Sequence, residues 1–159
     1  VYLGIDPGAS GGIGVVCTDG TALGLPIPNT MKDLWQWLKS RKPSHVCGTF
    51  AVIEKNTGYV GGKSGVGNPG SAMFKFGCGT GAYLMALTAA EIPYEEVTPG
   101  VWQRGLGISP RKKGEAKGKW KNRLKAAAQR LFPGVVVTLA VSDALLIAEF
   151  CRRKCEGRL

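Results

Sequence analysis

The sequence predicts an α/β fold: a mixed five-stranded sheet with helices on both faces. Three observations carry this. Short apolar runs of strand composition alternate with longer stretches of helical periodicity, in the order βββαβαβα(α)α. The first three strand-like runs follow one another closely across turn residues, as antiparallel neighbours do. Two strand-like runs, 2–6 and 49–54, end on a carboxylate, Asp6 and Glu54.

Strand one covers 2–6, and Pro7 and Gly8 stop it. Strand two covers 12–18, and Asp19-Gly20 is a two-residue hairpin signal leading into strand three at 22–27. Thr30 can cap a helix to residue 41, where Leu34, Trp35 and Leu38 make one apolar face and Pro43 ends the element. Trp35 and Trp37 straddle that helix, which predicts one in the core and the other partly exposed. Strand four is 49–54, and 56–70 is a Gly-rich loop. A helix of small residues follows over 71–90. Its Gly77, Gly79 and Gly81 weaken helix propensity, so they predict close approach to another backbone, within the chain or in a second copy. Residues 94–97 are a fifth strand. Thr98-Pro99 starts a short helix carrying Trp102, a basic helix covers 115–131 up to Phe132-Pro133-Gly134, and a last helix covers 141–153.

The 159 residues suit one domain with a sizeable core, and 44% hydrophobic against 20% charged residues suits a soluble globular chain. The apolar runs fall short of a membrane span, and there is no signal-peptide pattern. The chain begins without Met, directly in a strand, as a trimmed chain would. Its net charge of +10, from 21 Lys and Arg against 11 Asp and Glu, favours a polyanionic partner, nucleic acid before an acidic membrane. Five cysteines without a Cys-x-x-Cys pair, and the single His45, argue against zinc. They read as reduced, mostly buried thiols of an intracellular protein.

Four acids stand in apolar settings: Asp6, Glu54, Asp143 and Glu149. Strands one and four, as parallel neighbours ending at one edge, bring Asp6 and Glu54 together. Like charges that close in a low dielectric need a cation. Asp143 opens the apolar stretch Asp143-Ala144-Leu145-Leu146-Ile147-Ala148, so it faces the core or a cleft, and the cleft is favoured. Glu149 lies about 120° further round that helix and should pair with Arg152 or Arg153. Singly, Asp6 could make an Asx turn, Glu54 could pair with Lys55 or a loop amide, and Asp143 could cap a helix. Together they make a set of hard oxygen ligands suited to Mg²⁺ or Mn²⁺.

These residues carry a resemblance. Gly4-Ile5-Asp6-Pro7-Gly8 with Gly11-Gly12, then Val52-Ile53-Glu54-Lys55, then Ser142-Asp143-Ala144-Leu145-Leu146-Ile147-Ala148 resemble the RuvC-type Holliday junction resolvases, closest to their phage and environmental relatives. The match spans nearly the whole chain. It implies a ribonuclease H-like fold, a single nuclease domain over 1–159, and a homodimer. It also implies a DNA endonuclease that cuts a four-way junction with Mg²⁺ or Mn²⁺, held by Asp6, Glu54 and Asp143. The implied location is cytoplasmic and nucleoid-associated, in a phage-encoded or organellar setting. One position departs. The family's further Asp, three residues before the one matching Asp143, is Ala140 here. No acid on the last helix replaces it, since its helical neighbours Leu139, Ala140, Leu146 and Ile147 are apolar. Either three carboxylates suffice, or the chain is an inactivated variant that binds branched DNA without cutting it.

A lysine near the scissile phosphate would stabilise transition-state charge. Lys117, Lys119 and Lys121 are the candidates, with Lys117 and Lys121 favoured, one turn apart on one face. Segment 111–130 holds nine cations against one acid, Glu115. Arg111, Lys112, Lys113, Lys117, Lys119, Lys121 and Arg123 are its phosphate-contact candidates, and Arg152, Arg153 and Lys154 extend the basic surface. In the loop, Gly61-Gly62-Lys63-Ser64 looks like the end of a phosphate loop, but Thr57 stands where that motif needs Gly. Tyr59 is placed to stack on junction bases, as an aromatic of the matching loop does in the family. The rival classes are an actin-like kinase fragment, which needs a second phosphate loop that this chain lacks, and a ribonuclease H-like nuclease acting on RNA–DNA hybrids.

Overall fold

A computed structural model of the chain describes residues 1–8, 10–41, 48–55 and 70–159. Its elements run β1 (Tyr2–Asp6), β2 (Gly12–Val16), β3 (Ala22–Pro26), α1 (Met31–Lys39), β4 (Phe50–Glu54), α2 (Gly70–Ala89), β5 (Tyr94–Val97), α3 (Pro99–Gly105), α4 (Lys117–Leu131) and α5 (Ser142–Cys155). The strands form one five-stranded sheet in the order β3-β2-β1-β4-β5. β1 to β3 pair antiparallel, whereas β4 and β5 add on parallel. This is the mixed sheet that the sequence predicts.

Strand alternation sorts the side chains between two cores. Leu3, Ile5, Ile13 and Val15 pack with Leu34 and Leu38 of α1 and with Tyr83 and Leu87 of α2. On the other face Val16 and Val52 pack with Trp102 of α3, Trp120 and Leu124 of α4, and Leu145 to Ala148 of α5. Helices therefore cover both faces.

A row of glycines seats α5 directly on the sheet. Gly4 pairs with Gly14 and Gly14 with Gly24 across the three antiparallel strands. A Cβ on Gly4 would stand 2.2 Å from the Ala144 carbonyl oxygen, and one on Gly14 would stand 2.3 Å from the same atom. Only glycine admits a helix backbone this close.

Several sequence readings change. The β2–β3 turn has a three-residue loop, not a two-residue one. Gly20 N–H bonds the Cys17 carbonyl at 3.1 Å, Cys17 N–H bonds the Thr21 carbonyl at 2.9 Å, and Gly20 has φ +86°. A type I turn followed by a left-handed glycine gives that geometry. Among the described residues, Gly77, Gly79 and Gly81 of α2 approach no other backbone of the chain, because a Cβ on each would meet nothing there within 4 Å. Trp35 and Trp37 are both half-buried. Thr30 caps α1 as expected, its hydroxyl accepting from Asp33 N–H at 3.1 Å. Among the described cysteines only Cys151 is buried, while Cys78 and Cys155 are exposed; all four described thiols are free. Pro43, His45, Cys47 and Tyr59 lie outside the described residues. Among the described residues no helix is long and apolar enough to cross a membrane.

Candidate active site

The parallel register of β1 and β4 pairs Ile5 with Ile53, so Asp6 and Glu54 leave the same edge of the sheet side by side. Both share the strand face of Gly4 and Val52, the face that α5 covers. The glycine row holds the first turn of α5 against that face, and this brings in Asp143, which is 6% exposed. Three carboxylates from three elements thus converge. α4 supplies a cation, Lys121 Nζ, 2.5 Å from Asp143 Oδ2. α3 supplies Trp102 Nε1, which donates to Glu54 Oε2 at 2.9 Å. Ser142 Oγ donates to Asp143 Oδ1 at 3.2 Å.

Asp6 also makes the Asx turn that its position before Pro7 suggests, accepting from Gly8 N–H at 3.1 Å. Burial raises its pKa against that hydrogen bond, and the charge of Asp143 raises it further. Burial, with the neighbouring Asp6 charge, pushes Glu54 up to about 7, while the Trp102 N–H opposes this. Burial disfavours the Lys121 ammonium, but its bond to Asp143 and the charges of Asp6 and Glu54 prevail and raise its pKa. The site is an acidic cluster under-compensated by one ammonium.

The donor chemistry, three carboxylates at a sheet edge, suits a hard divalent cation. Among the described residues no three of His, Cys, Asp and Glu stand close enough to cage an ion. The Lys121 ammonium holds one Asp143 oxygen that an ion would need.

Of the lysine candidates, α4 turns Lys121 toward the carboxylates and leaves Lys117 and Lys119 exposed. Arg111, Lys112 and Lys113 are exposed on the segment before α4. The Arg123 guanidinium is engaged within the chain, by Glu115 and by the Ser109 and Pro110 carbonyls. Glu149 points away from the carboxylate cluster and pairs with both Arg152 and Arg153, as its spacing predicts. Burial works against its charge, but the two guanidinium groups hold its pKa below the usual carboxylate range. Lys154 pairs with Glu95. These three C-terminal cations are therefore largely neutralised rather than an extension of a bare basic surface. Leu139 and Ala140 precede α5, so they are not helical neighbours of Asp143. The Ala140 carbonyl oxygen lies 2.7 Å from where a Cβ on Gly12 would stand, and Gly12 pairs with Asp6 across the strands.

Sequence reading missed Trp102 and Tyr83 beside the site. Tyr83 is 3% exposed, and among the described residues its hydroxyl has no hydrogen-bond partner. Burial and the Asp6 charge raise its pKa. It also missed the glycine row, although Gly4, Gly14 and Gly24 recur at equal spacing.

No protein-family model matches the sequence, and no curated protein matches it. The fold has clear counterparts among solved structures. One is T. thermophilus RuvC in complex with a Holliday junction substrate, with TM-score 0.55 and 17% identity over 98% of this chain and 96% of that one. Another is a Thermus thermophilus RuvC structure, with TM-score 0.53 and 17% identity over the same shares. The fold of this chain is thus similar to that of these RuvC structures, a mixed five-stranded sheet with helices on both faces.

Proposed function

We propose that this chain is a RuvC-type DNA endonuclease that resolves four-way junctions as a homodimer, with residues 1–159 forming one nuclease domain. The observation that carries the reading is the convergence of Asp6, Glu54 and Asp143 at one sheet edge, with Lys121 among them, in a fold like that of RuvC bound to a junction. Mg²⁺ or Mn²⁺ held by the three carboxylates would supply the Lewis acidity that phosphodiester hydrolysis needs. The chain's own groups do the rest. Trp102 fixes Glu54, Ser142 fixes Asp143, and the Gly8 N–H fixes Asp6, so each carboxylate is oriented singly, and the three would have to draw closer to hold an ion. Lys121, released from Asp143, becomes a mobile cation within reach of a bound phosphate and stabilises charge developing there. Lys117 is the alternate, one turn earlier. Arg111, Lys112, Lys113 and Lys119 attract the backbone, and Tyr59 serves as a stacking aromatic at the junction centre. α2 is the candidate dimer face: among the described residues nothing covers Gly77, Gly79 and Gly81, and Phe74 and Met85 are 73% and 62% exposed.

A second reading is a branched-DNA-binding protein that does not cut. The Lys121–Asp143 ion pair and Ala140 favour it, because one acid is engaged and another expected acid is missing. Labelled four-way junction, linear duplex and RNA–DNA hybrid, each incubated with Mg²⁺ or Mn²⁺, separate the readings. Paired cuts in the junction alone are expected. Tight junction binding without cuts selects the second reading, and cutting confined to the hybrid rejects both.

A further inference from the structure

We propose that Glu115 and Arg123 are positioning residues that lock segment 109–116 into a preformed phosphate clamp, presenting Arg111, Lys112 and Lys113 to a nucleic-acid backbone. The proposal rests on the nucleic-acid reading above and adds the residues that shape its binding surface.

The segment between α3 and α4 contains no strand or helix to hold it. One acid and one arginine hold it instead. The Glu115 side chain is 9% exposed although it lies in the most basic part of the chain. Its Oε2 accepts the Lys112 backbone N–H at 3.0 Å and Arg123 Nη2 at 3.2 Å. The same Nη2 reaches the Pro110 carbonyl at 3.0 Å and the Ser109 carbonyl at 3.4 Å. Arg111 Nε donates to the Glu115 carbonyl at 2.8 Å, and Glu115 N–H closes a turn on the Lys112 carbonyl at 3.0 Å. Gly114, at φ +81°, takes the left-handed position of that turn. Behind the turn, the Arg123 guanidinium lies 4.5 Å from the Trp120 ring centroid, and Trp120 is 8% exposed in the core. The turn is thereby anchored through α4, the helix that also carries Lys121.

An acid placed here only to adjust charge would weaken phosphate attraction. The half-buried Glu115 instead sits within the turn and bonds its backbone and Arg123. It bonds the backbone of a residue whose ammonium points out. The Lys112 and Lys113 ammonium groups have no partner among the described residues, so they are free for phosphate. A loose tribasic segment would lose conformational entropy on binding, whereas this one is ordered beforehand. Arg123 acts through the loop rather than as a phosphate contact itself.

The test uses Glu115→Ala and Arg123→Lys in the full chain, with labelled linear duplex and labelled four-way junction titrated between about 50 and 200 mM salt. Charge alone predicts tighter binding for Glu115→Ala and no change for Arg123→Lys. The clamp predicts about tenfold weaker binding for both, with the slope of log affinity against log salt reduced by about 1 to 2 as phosphate contacts are lost. It also predicts faster tryptic cleavage after Arg111, Lys112 and Lys113. Variants that bind duplex and junction as tightly as the parent, with an unchanged slope, overturn the clamp. A parent chain that binds neither DNA overturns it too. A parent that binds both DNAs equally contradicts the junction reading, while the duplex comparison still decides the clamp. If Arg123→Lys disturbs α4, Glu115→Ala, which leaves Trp120 and Arg123 in place, decides alone.

Discussion

Glu54→Gln should stabilise the metal-free protein, and only above mildly acidic pH. Burial and the Asp6 charge push Glu54 from 4.5 to about 7 in the folded chain. Between these values the folded state keeps a proton that the unfolded state gives up. Stability therefore falls as pH rises through that window and is flat on either side of it with respect to this group. The full shift corresponds to at most about 3 kcal/mol. Gln is the neutral isostere, and its amide oxygen can still accept the Trp102 N–H. The variant should match the parent at pH 4.5 and exceed it by about 2 to 3 kcal/mol at pH 8. Urea unfolding in EDTA at pH 4.5, 6 and 8 measures this. Glu149, whose folded pKa is lowered, acts with the opposite sign: its contribution is lost as pH falls through the acidic range. The difference between variant and parent cancels it. A gap that stays constant across pH would refute the reasoning, as would a variant weaker than the parent at pH 8.

The remaining predictions concern the supports of the site. Gly14→Ala would put a Cβ 2.3 Å from the Ala144 carbonyl oxygen, so α5 must lift; a loss of about 3 kcal/mol in urea unfolding is expected. Gly20→Ala meets no atom of the described residues within 4 Å and strains only its φ of +86°, so it should lose about 1 kcal/mol; an equal loss at both sites would contradict the seating of α5. Tyr83→Phe removes a buried hydroxyl without a described partner, so it should leave stability unchanged or raise it by about 1 kcal/mol, and a marked loss on thermal unfolding would reveal a bond to that hydroxyl. Lys121→Met leaves Asp143 unpaired, so it should lower stability in EDTA by about 2 kcal/mol and slow junction cutting by about 10²-fold. Unchanged values in both assays would remove Lys121 from the site.

The sheet was legible because burial enforces its pattern. The centres of Tyr2–Asp6 and Phe50–Glu54, Leu3 to Ile5 and Ala51 to Ile53, are buried on both faces, and such short apolar runs bounded by turn residues read as central strands. Asp6 and Glu54 were readable for the same reason, as acids closing apolar strands. Asp143 was readable because the helix behind it is apolar on every side. The role of Lys121 was not, since Lys117, Lys119 and Lys121 look alike in sequence and only the rotation of α4 against α5 selects among them. Trp102 was equally hidden: an indole on a short helix says nothing of a carboxylate 48 residues earlier. The glycines of α2 left two readings, packing within the chain and packing against a second copy, which low helix propensity does not separate; among the described residues the first is not seen. The β2–β3 turn misled because Asp-Gly suits both a two-residue loop and the last two positions of a three-residue one.

The most direct test of the central claim is cleavage of a labelled four-way junction with Mn²⁺ by the parent chain, Asp6→Asn and Ala140→Asp. Asp6 is the acid at which the Asx turn, the strand edge and the two neighbouring carboxylates meet. The account predicts paired cuts by the parent, equal or faster cutting by Ala140→Asp, and no cutting by Asp6→Asn with junction binding retained. Cutting by Asp6→Asn at the parent's rate would contradict it.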